Sequence, residues 1–203
     1  AARTCMMAGV GLTGVFLWYL VRFWVYGKAV VLTSAPLTIP AGFLIAGMAV
    51  ATLIGAALAS WAAGPISERI EEKNIPVARV VAGACLLYAA GLALAWGLGV
   101  WSTGTARENG MLLFALISGF AFGVYDSLGL ELVMDSLPDP RRAGHDLGIY
   151  ALANSAGLAL AAIIGALLVN AFEHSFGYYL LFPSAIVMVL LAGIVTLTTK
   201  SAE

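Results

Sequence analysis

The stretch that decides the fold is residues 177–199, GYYLLFPSAIVMVLLAGIVTLTT, which carries no charged side chain. A helix of about 20 apolar residues crosses the roughly 30 Å hydrocarbon core of a bilayer. A membrane β-barrel would instead show alternating strands of about ten residues. The sequence therefore predicts an all-α polytopic membrane protein, a single domain of six transmembrane helices over residues 1–203. The expected spans are about residues 6–26, 41–63, 77–101, 110–134, 147–172 and 177–199.

The composition argues against most soluble classes of protein. Hydrophobic residues make up 62% of the 203 residues and charged residues only 10%, and the mean hydropathy is +0.97. An ordinary soluble domain carries about 25% charged residues, so a soluble enzyme, a nucleic-acid-binding protein and a disulfide scaffold are disfavoured. Cys5 and Cys85 suggest neither a disulfide framework nor a metal site, and no nucleophile has an obvious base. We therefore expect no enzyme activity, no metal and no cofactor.

The basic residues predict the orientation in the membrane, because cytoplasmic loops are enriched in lysine and arginine. With six spans, Lys28 and Arg107 lie on one side. The other side holds seven basic residues: Arg3, Arg69, Lys73, Arg79, Arg141, Arg142 and Lys200. We therefore expect a multi-pass protein of the plasma membrane, the inner membrane of a bacterium, with both termini in the cytoplasm. Since the chain starts at Ala1 and its first span lacks a cleavage-site pattern, we expect a fragment or processed chain and no signal peptide.

One acidic residue lies well inside a span, where an ionisable group is costly and is a candidate for function. Asp126 shares the stripe of small residues formed by Gly119 and Gly123, so we expect it to face the bundle. One interpretation makes Asp126 a substrate-binding or proton-coupling carboxylate in a central cavity. The other makes it a structural partner for Arg22 or for a hydroxyl group on a neighbouring helix.

Four further polar residues lie in or near the spans. Glu131 and Asp135 share a different face near the cytoplasmic end, where a structural role is favoured. Arg22 lies about one turn from the outer end of the first span, so its side chain can extend to the lipid headgroups; a buried ion pair or an anion site is the alternative. Asn154 in the fifth span either donates and accepts hydrogen bonds between helices or lines a polar path.

The loop after the second span, residues 64–73, reads GPISERIEEK. Its glycine and proline are expected to end the helix and to force a tight reversal. The stretch resembles the loop motif that the major facilitator superfamily carries between the second and third helices of each half. The two glutamates at positions 71 and 72 stand where that motif has a glycine and a base. The positions that match are Gly64, Glu68, Arg69 and Lys73.

The fourth loop, residues 135–148, reads DSLPDPRRAGHDLG. It is similar to the segment between the tenth and eleventh helices in a group of bacterial transporters of the same superfamily. Its prolines are expected to stop the fourth helix, and Asp146 is expected to cap the fifth. The match extends to Asn154 and departs at Gly129, where such relatives tend to carry an acid. The charged residues taken as candidates in this loop are Asp135, Arg141, Arg142 and Asp146.

The resemblance covers the whole chain and matches helices seven to twelve, the C-terminal half of such a transporter. It implies a second six-helix half in the same bilayer, whether part of the same chain, a separate chain or a second copy, with a cavity between the halves. It also implies secondary transport of a small polar solute, such as a sugar or a drug-like compound, by alternating access, with proton coupling as one option. Asp126 would contact the substrate or couple protons, Arg22 and Asn154 would line the cavity, and Glu68 and Arg69 would belong to the cytoplasmic gate.

A second hypothesis makes the chain a non-transporting subunit, derived from a transporter, that serves the structure or assembly of a larger membrane complex. The half-size chain and the altered bases of its first loop motif favour that hypothesis. The two hypotheses differ in what should lie opposite Gly119 and Gly123. A transporter predicts a second, pseudosymmetric bundle there, whereas a subunit of a complex predicts unrelated proteins and cofactors.

Overall fold

The computed structural model describes residues 1–25, 39–101, 105–135, 143–172 and 174–199, and nearly all of them are helical. Helix α1 (Ala2–Gly14) is followed by the single turn α2 (Leu17–Leu20) and by a π-helical turn, Val21–Val25. A helix suits a lipid environment because it satisfies its own backbone hydrogen bonds. The longer helices are α3 (Ile39–Glu72), α4 (Val77–Trp101), α5 (Thr105–Asp135), α6 (Ala143–Ala171) and α7 (His174–Thr199).

Five of these helices, α3 to α7, are long and apolar enough to cross a membrane. They coincide with the last five spans expected from the sequence, and the part of the chain that the structure describes contains no β-strand. The prediction of an all-α polytopic membrane protein is therefore confirmed.

The first expected span, residues 6–26, is not one continuous helix, and that prediction is wrong. Helix α1 ends at Gly14, and the chain turns at Val15 and Phe16 before α2 begins. The ring of Phe16 occupies the space beside Gly165 of α6, where a Cβ atom would overlap it. The break thus coincides with a specific contact between two distant parts of the chain, which the hydropathy of a single segment does not record.

The expectation that Gly64 and Pro65 end the second membrane helix is also wrong. Helix α3 continues through both residues and ends at Glu72. Proline removes one backbone donor and disfavours a helix interior, but the turns beyond it are held to the rest of the molecule by Ile70, which is buried. Tertiary packing therefore outweighs the local signal of the glycine–proline pair.

Asn74 determines where α3 does end. Its φ of 48° lies in the left-handed region, which asparagine tolerates better than most residues. The N–H of Ile75 donates to the carbonyl of Ile70 at 3.0 Å, and the N–H of Asn74 donates to that of Glu71 at 3.2 Å. This pair of bonds is the Schellman motif, which satisfies the last carbonyls of a helix and reverses the chain. The reversal leads within two residues into α4.

The helices pack as an arc in the order α3, α5, α4, α7, α1, α6, and α6 also contacts α7. The arc has an internal symmetry between the consecutive triplets α1, α3, α4 and α5, α6, α7. In each triplet the second helix packs on the first helix of the other triplet, and the two third helices pack on each other. With the first segment also crossing the membrane, as the sequence predicts, two repeats of three helices each would be inverted relative to each other.

Small residues set the close approach of α5 to α3. A Cβ atom on Gly119 would overlap the backbone of Thr52, and one on Gly123 would lie 2.6 Å from the Cβ of Ala59. Such faces matter in lipid because apolar surface alone does not drive helices together there. The glycine face is therefore covered by α3 of the same chain. The expectation that it would meet a second bundle or unrelated proteins is wrong.

We expect Gly119→Ala to destabilise the protein by about 1–3 kcal/mol, because the added methyl group forces α3 and α5 apart. Gly83→Ala is the matched control, since open space lies beside Gly83 on α4. Alanine is favoured over glycine in a helix by about 1 kcal/mol, so this control should be neutral or stabilising. Thermal unfolding in detergent measures both, and equal midpoints for the two variants would contradict the close packing of α3 on α5.

Candidate functional site

Arg3 on α1 forms the centre of a polar cluster that joins three helices. Its Nη2 atom lies 2.6 Å from Oδ1 of Asp126 on α5, which makes an ion pair. Its Nε–H donates a hydrogen bond of 2.6 Å to Oδ1 of Asn154 on α6. Charge-assisted bonds of this length are among the stronger polar contacts in proteins. One side chain therefore connects α1 to both α5 and α6.

Three aromatic rings surround the Arg3 guanidinium. Its Cζ atom lies 5.7 Å from the ring centre of Phe122, 5.6 Å from that of Tyr125 and 4.8 Å from that of Tyr150. These distances fall within the range of attractive cation–π contacts. Among the described residues, the buried Nη1 atom has no hydrogen-bond partner, so the rings add to the compensation of the charge that Asp126 provides. The cation is thus held by a carboxylate, an amide and an aromatic cage.

The two partners of the ion pair differ in exposure. The Arg3 side chain is only 11% exposed, whereas that of Asp126 is 51% exposed. The carboxylate therefore shields the cation on one side and remains accessible on the other. The exposed carboxylate oxygens can therefore accept hydrogen bonds from outside the cluster.

Sequence reasoning identified two members of this cluster and missed the third. Asp126 pairs with Arg3 rather than with Arg22, the partner considered from the sequence, and Arg22 lies in the π-helical turn at the other end of the first segment. Arg3 had counted only as a positive charge for orientation. A local signal was present, because Tyr150 lies four residues before Asn154 and Phe122 lies four residues before Asp126, a spacing that places each pair on one helix face.

Comparison with known proteins establishes the family. A family model described as Major Facilitator Superfamily matches residues 40–203. The chain belongs to the major facilitator superfamily. No curated protein and no solved structure matches the chain. Arg3 and the rest of α1 lie outside the matched residues.

Membership in the major facilitator superfamily supports a transport role for a small solute in a lipid bilayer, in agreement with the apolar helices. It is consistent with the expectation that the chain is not an enzyme, since members of the superfamily are transporters. Inverted repeats of three helices nested in a six-helix half are a feature of its fold, and the pairwise packing of α1, α3 and α4 with α5, α6 and α7 is consistent with such a repeat.

The superfamily loop motif lies at the end of α3 and in the turn that follows. Gly64, Glu68 and Arg69 lie in the last turns of the helix, and Lys73 opens the turn to α4. All four residues are exposed. Gly64, Glu68 and Arg69 therefore lie on a continuous helix rather than on the loop that the sequence predicted.

The candidates of the fourth loop fall at its edges or outside the described residues. Asp135 is the last residue of α5. Asp146 lies in the first turn of α6, which begins at Ala143, so the expectation that Asp146 precedes the helix as its cap is wrong. Arg141 and Arg142 lie outside the described residues. Within the described part of the chain, no three His, Cys, Asp or Glu residues form a group that could hold a metal ion.

The unequal burial of the ion pair predicts an asymmetry between its two partners. Asp126→Ala should cost about 1–3 kcal/mol, because it leaves the buried guanidinium of Arg3 without its counter-charge. Arg3→Met should cost less, because methionine keeps favourable contacts with the aromatic rings and leaves a carboxylate that solvent can reach. Thermal unfolding in detergent measures these differences. The double variant should be more stable than Asp126→Ala alone, and a double variant less stable than both single variants would contradict the assignment.

Proposed function

We propose that the chain is the C-terminal half of a secondary active transporter that moves a small polar solute by alternating access. The observation that carries the proposal is the position of Asp126, half exposed beside the shielded Arg3 at the junction of α1, α5 and α6. Asp126 is the coupling or substrate-binding group, and a proton is the coupling ion. Asn154 lines the same path. Arg22 belongs to the opposite end of the cavity wall.

The placement of the ion pair suggests how binding alters the helix bundle. Helix α1 packs mainly on α6 and α7, whereas α5 packs mainly on α3 and α4. The contact between Arg3 and Asp126 thus links the first helices of the two inverted triplets. Protonation of Asp126, or a solute that competes for its carboxylate, weakens that link. A change of charge at one side chain therefore changes the free energy of one arrangement of the triplets relative to another.

The second half pairs with the ends of the arc. Helices α3 and α6 form those ends, and both expose large apolar side chains, among them Phe43 and Trp61 on α3 and Leu152 and Ile163 on α6. In the superfamily two six-helix halves are related by an axis along the membrane normal, and substrate binds between them. The second half is a further segment of the same chain, a separate chain or a second copy.

The exposed motif at the end of α3 and the loop from Asp135 to Asp146 lie on the cytoplasmic side in this proposal, with both termini and in the inner membrane of a bacterium. The motif residues then form the gate that opens and closes the cytoplasmic end of the cavity. Basic side chains on that side follow the positive-inside rule. Glu68 and Arg69 are the gate residues whose charges change partners as the halves rock.

Uptake by vesicles that contain the protein and its second half tests the function. The probes are radiolabelled sugars and fluorescent drug-like amines, offered with and without an inward proton gradient. Asp126→Asn should abolish gradient-driven uptake, a loss of tenfold or more, because the amide cannot exchange a proton. Glu71→Gln, an exposed acid on α3, should transport as the wild type does.

Two results would contradict the proposal. Unchanged uptake by Asp126→Asn would remove Asp126 from the mechanism. Purification in mild detergent as one copy among many unrelated subunits, without a second six-helix half, would favour a structural subunit of a larger complex instead. Thermal unfolding confirms that each variant is folded before uptake is compared.

A further inference from the structure

An apolar groove of about 260 Å³ lies between the ends of α3 and α4 that the Asn74 turn connects. Ile66 forms one wall, and Val80, Gly83 and Leu87 of α4 form the other. Phe120, Ala121 and Val124 of α5 form the floor. The groove opens away from the described helices, since Gly83 and Leu87 are exposed and a Cβ atom on Gly83 would meet no described residue within 4 Å.

The second triplet offers a comparison for the open space between α3 and α4. Their counterparts, α6 and α7, pack directly on each other. Gly177, the fourth residue of α7, makes that approach possible, since a Cβ atom there would lie 2.5 Å from Cα of Val169. The fourth residue of α4 is Val80, whose branched side chain lines the groove. Helix α4 thus has a branched side chain at the place in its first turn where α7 has glycine.

The basic and the acidic side chains at the end of α3 lie on different faces of the helix. At about 100° per residue, Arg69 and Lys73 lie within about 60° of Ile66, the residue that lines the groove. Lys73 keeps the helical register, because its N–H donates to the carbonyl of Arg69 at 3.2 Å. On the same helix, Glu68, Glu71 and Glu72 lie at least about 120° from Ile66. The groove therefore has basic residues at its end, and the acids point away from it.

We propose that this groove is a binding site for one anionic phospholipid of the surrounding bilayer. An acyl chain fills the apolar space between α3 and α4, and the headgroup phosphate pairs with Arg69 and Lys73. Lipid tails gain little from apolar contact alone in a membrane, so the basic pair supplies the selectivity for negative charge. Arg79, exposed in the first turn of α4, adds to the positive field at this end. The inference does not depend on transport.

Native mass spectrometry of the full chain in mild detergent tests the site. The probes are phosphatidylglycerol and phosphatidylcholine with identical acyl chains, each added at the same molar ratio. One phosphatidylglycerol should be retained per chain, in preference to phosphatidylcholine. Retention should fall about fivefold for each positive charge removed and about 30-fold in Arg69→Gln/Lys73→Gln, the factors that correspond to ~1 kcal/mol per basic residue. Glu71→Gln/Glu72→Gln, on the opposite face, is the matched charge control and should not lower retention.

The apolar part of the site has its own pair of variants. Gly83→Leu should lower phosphatidylglycerol retention to the level of phosphatidylcholine, because the new side chain fills the groove. Gly148→Leu, at another helical glycine with open space beside it, should leave retention unchanged. If Arg69→Gln/Lys73→Gln does not fold, Arg69→Lys is measured instead. It keeps the positive charge and should retain the lipid.

Three outcomes would overturn the proposal. The first is equal retention of the two lipids by the wild type. The second is equal loss of lipid in the basic and acidic double variants. The third is a lipid-independent dimer that Gly83→Leu abolishes, which would assign the groove to a second copy of the chain.

Discussion

The arrangement of the helices around the cluster depends on the guanidinium of Arg3, a cation that this chain buries almost completely. A charge taken out of water costs several kcal/mol unless paired and hydrogen-bonded partners compensate it. Those partners come from two other helices, Asp126 from α5 and Asn154 from α6. The positions of α1, α5 and α6 are therefore coupled. A change of charge at Asp126, the accessible partner, therefore alters a contact on which the positions of all three helices depend.

Close packing of small residues and this polar link act on different parts of the arc. Gly119 and Gly123 fix α5 against α3, the first against the backbone of Thr52 and the second against the Cβ of Ala59. Arg3 on α1 is linked to α5 instead by one ion pair, with the half-exposed Asp126. Within the described helices, the triplets are thus joined partly by close packing and partly by an ion pair with one accessible partner. That combination suits a member of the major facilitator superfamily.

The sequence predicted the five long membrane helices because each is an unbroken apolar segment, a property of the segment itself. It failed where contacts between distant segments decide the outcome. Phe16 docks beside Gly165 where α1 breaks, and the buried Ile70 holds α3 in its helix beyond Pro65. The sequence predicted one partner of the ion pair in the candidate site and missed the other. Asp126 stands out in an apolar span, whereas the role of Arg3 depends on where α1 packs.

If Asp126 is the coupling or substrate-binding group, it lies on a water-filled path rather than against lipid. Two variants, Asp126→Cys and Leu152→Cys, are made in a Cys5→Ser/Cys85→Ala background, so that each has a single cysteine. Membrane vesicles that contain either variant are then treated with a charged thiol reagent that cannot cross the bilayer. Leu152 is the control because it is 69% exposed and lies on the opposite face of α6 from Asn154. We expect the reagent to modify Asp126→Cys and to leave Leu152→Cys unmodified. Equal reactivity of the two positions, or protection of both, would contradict it.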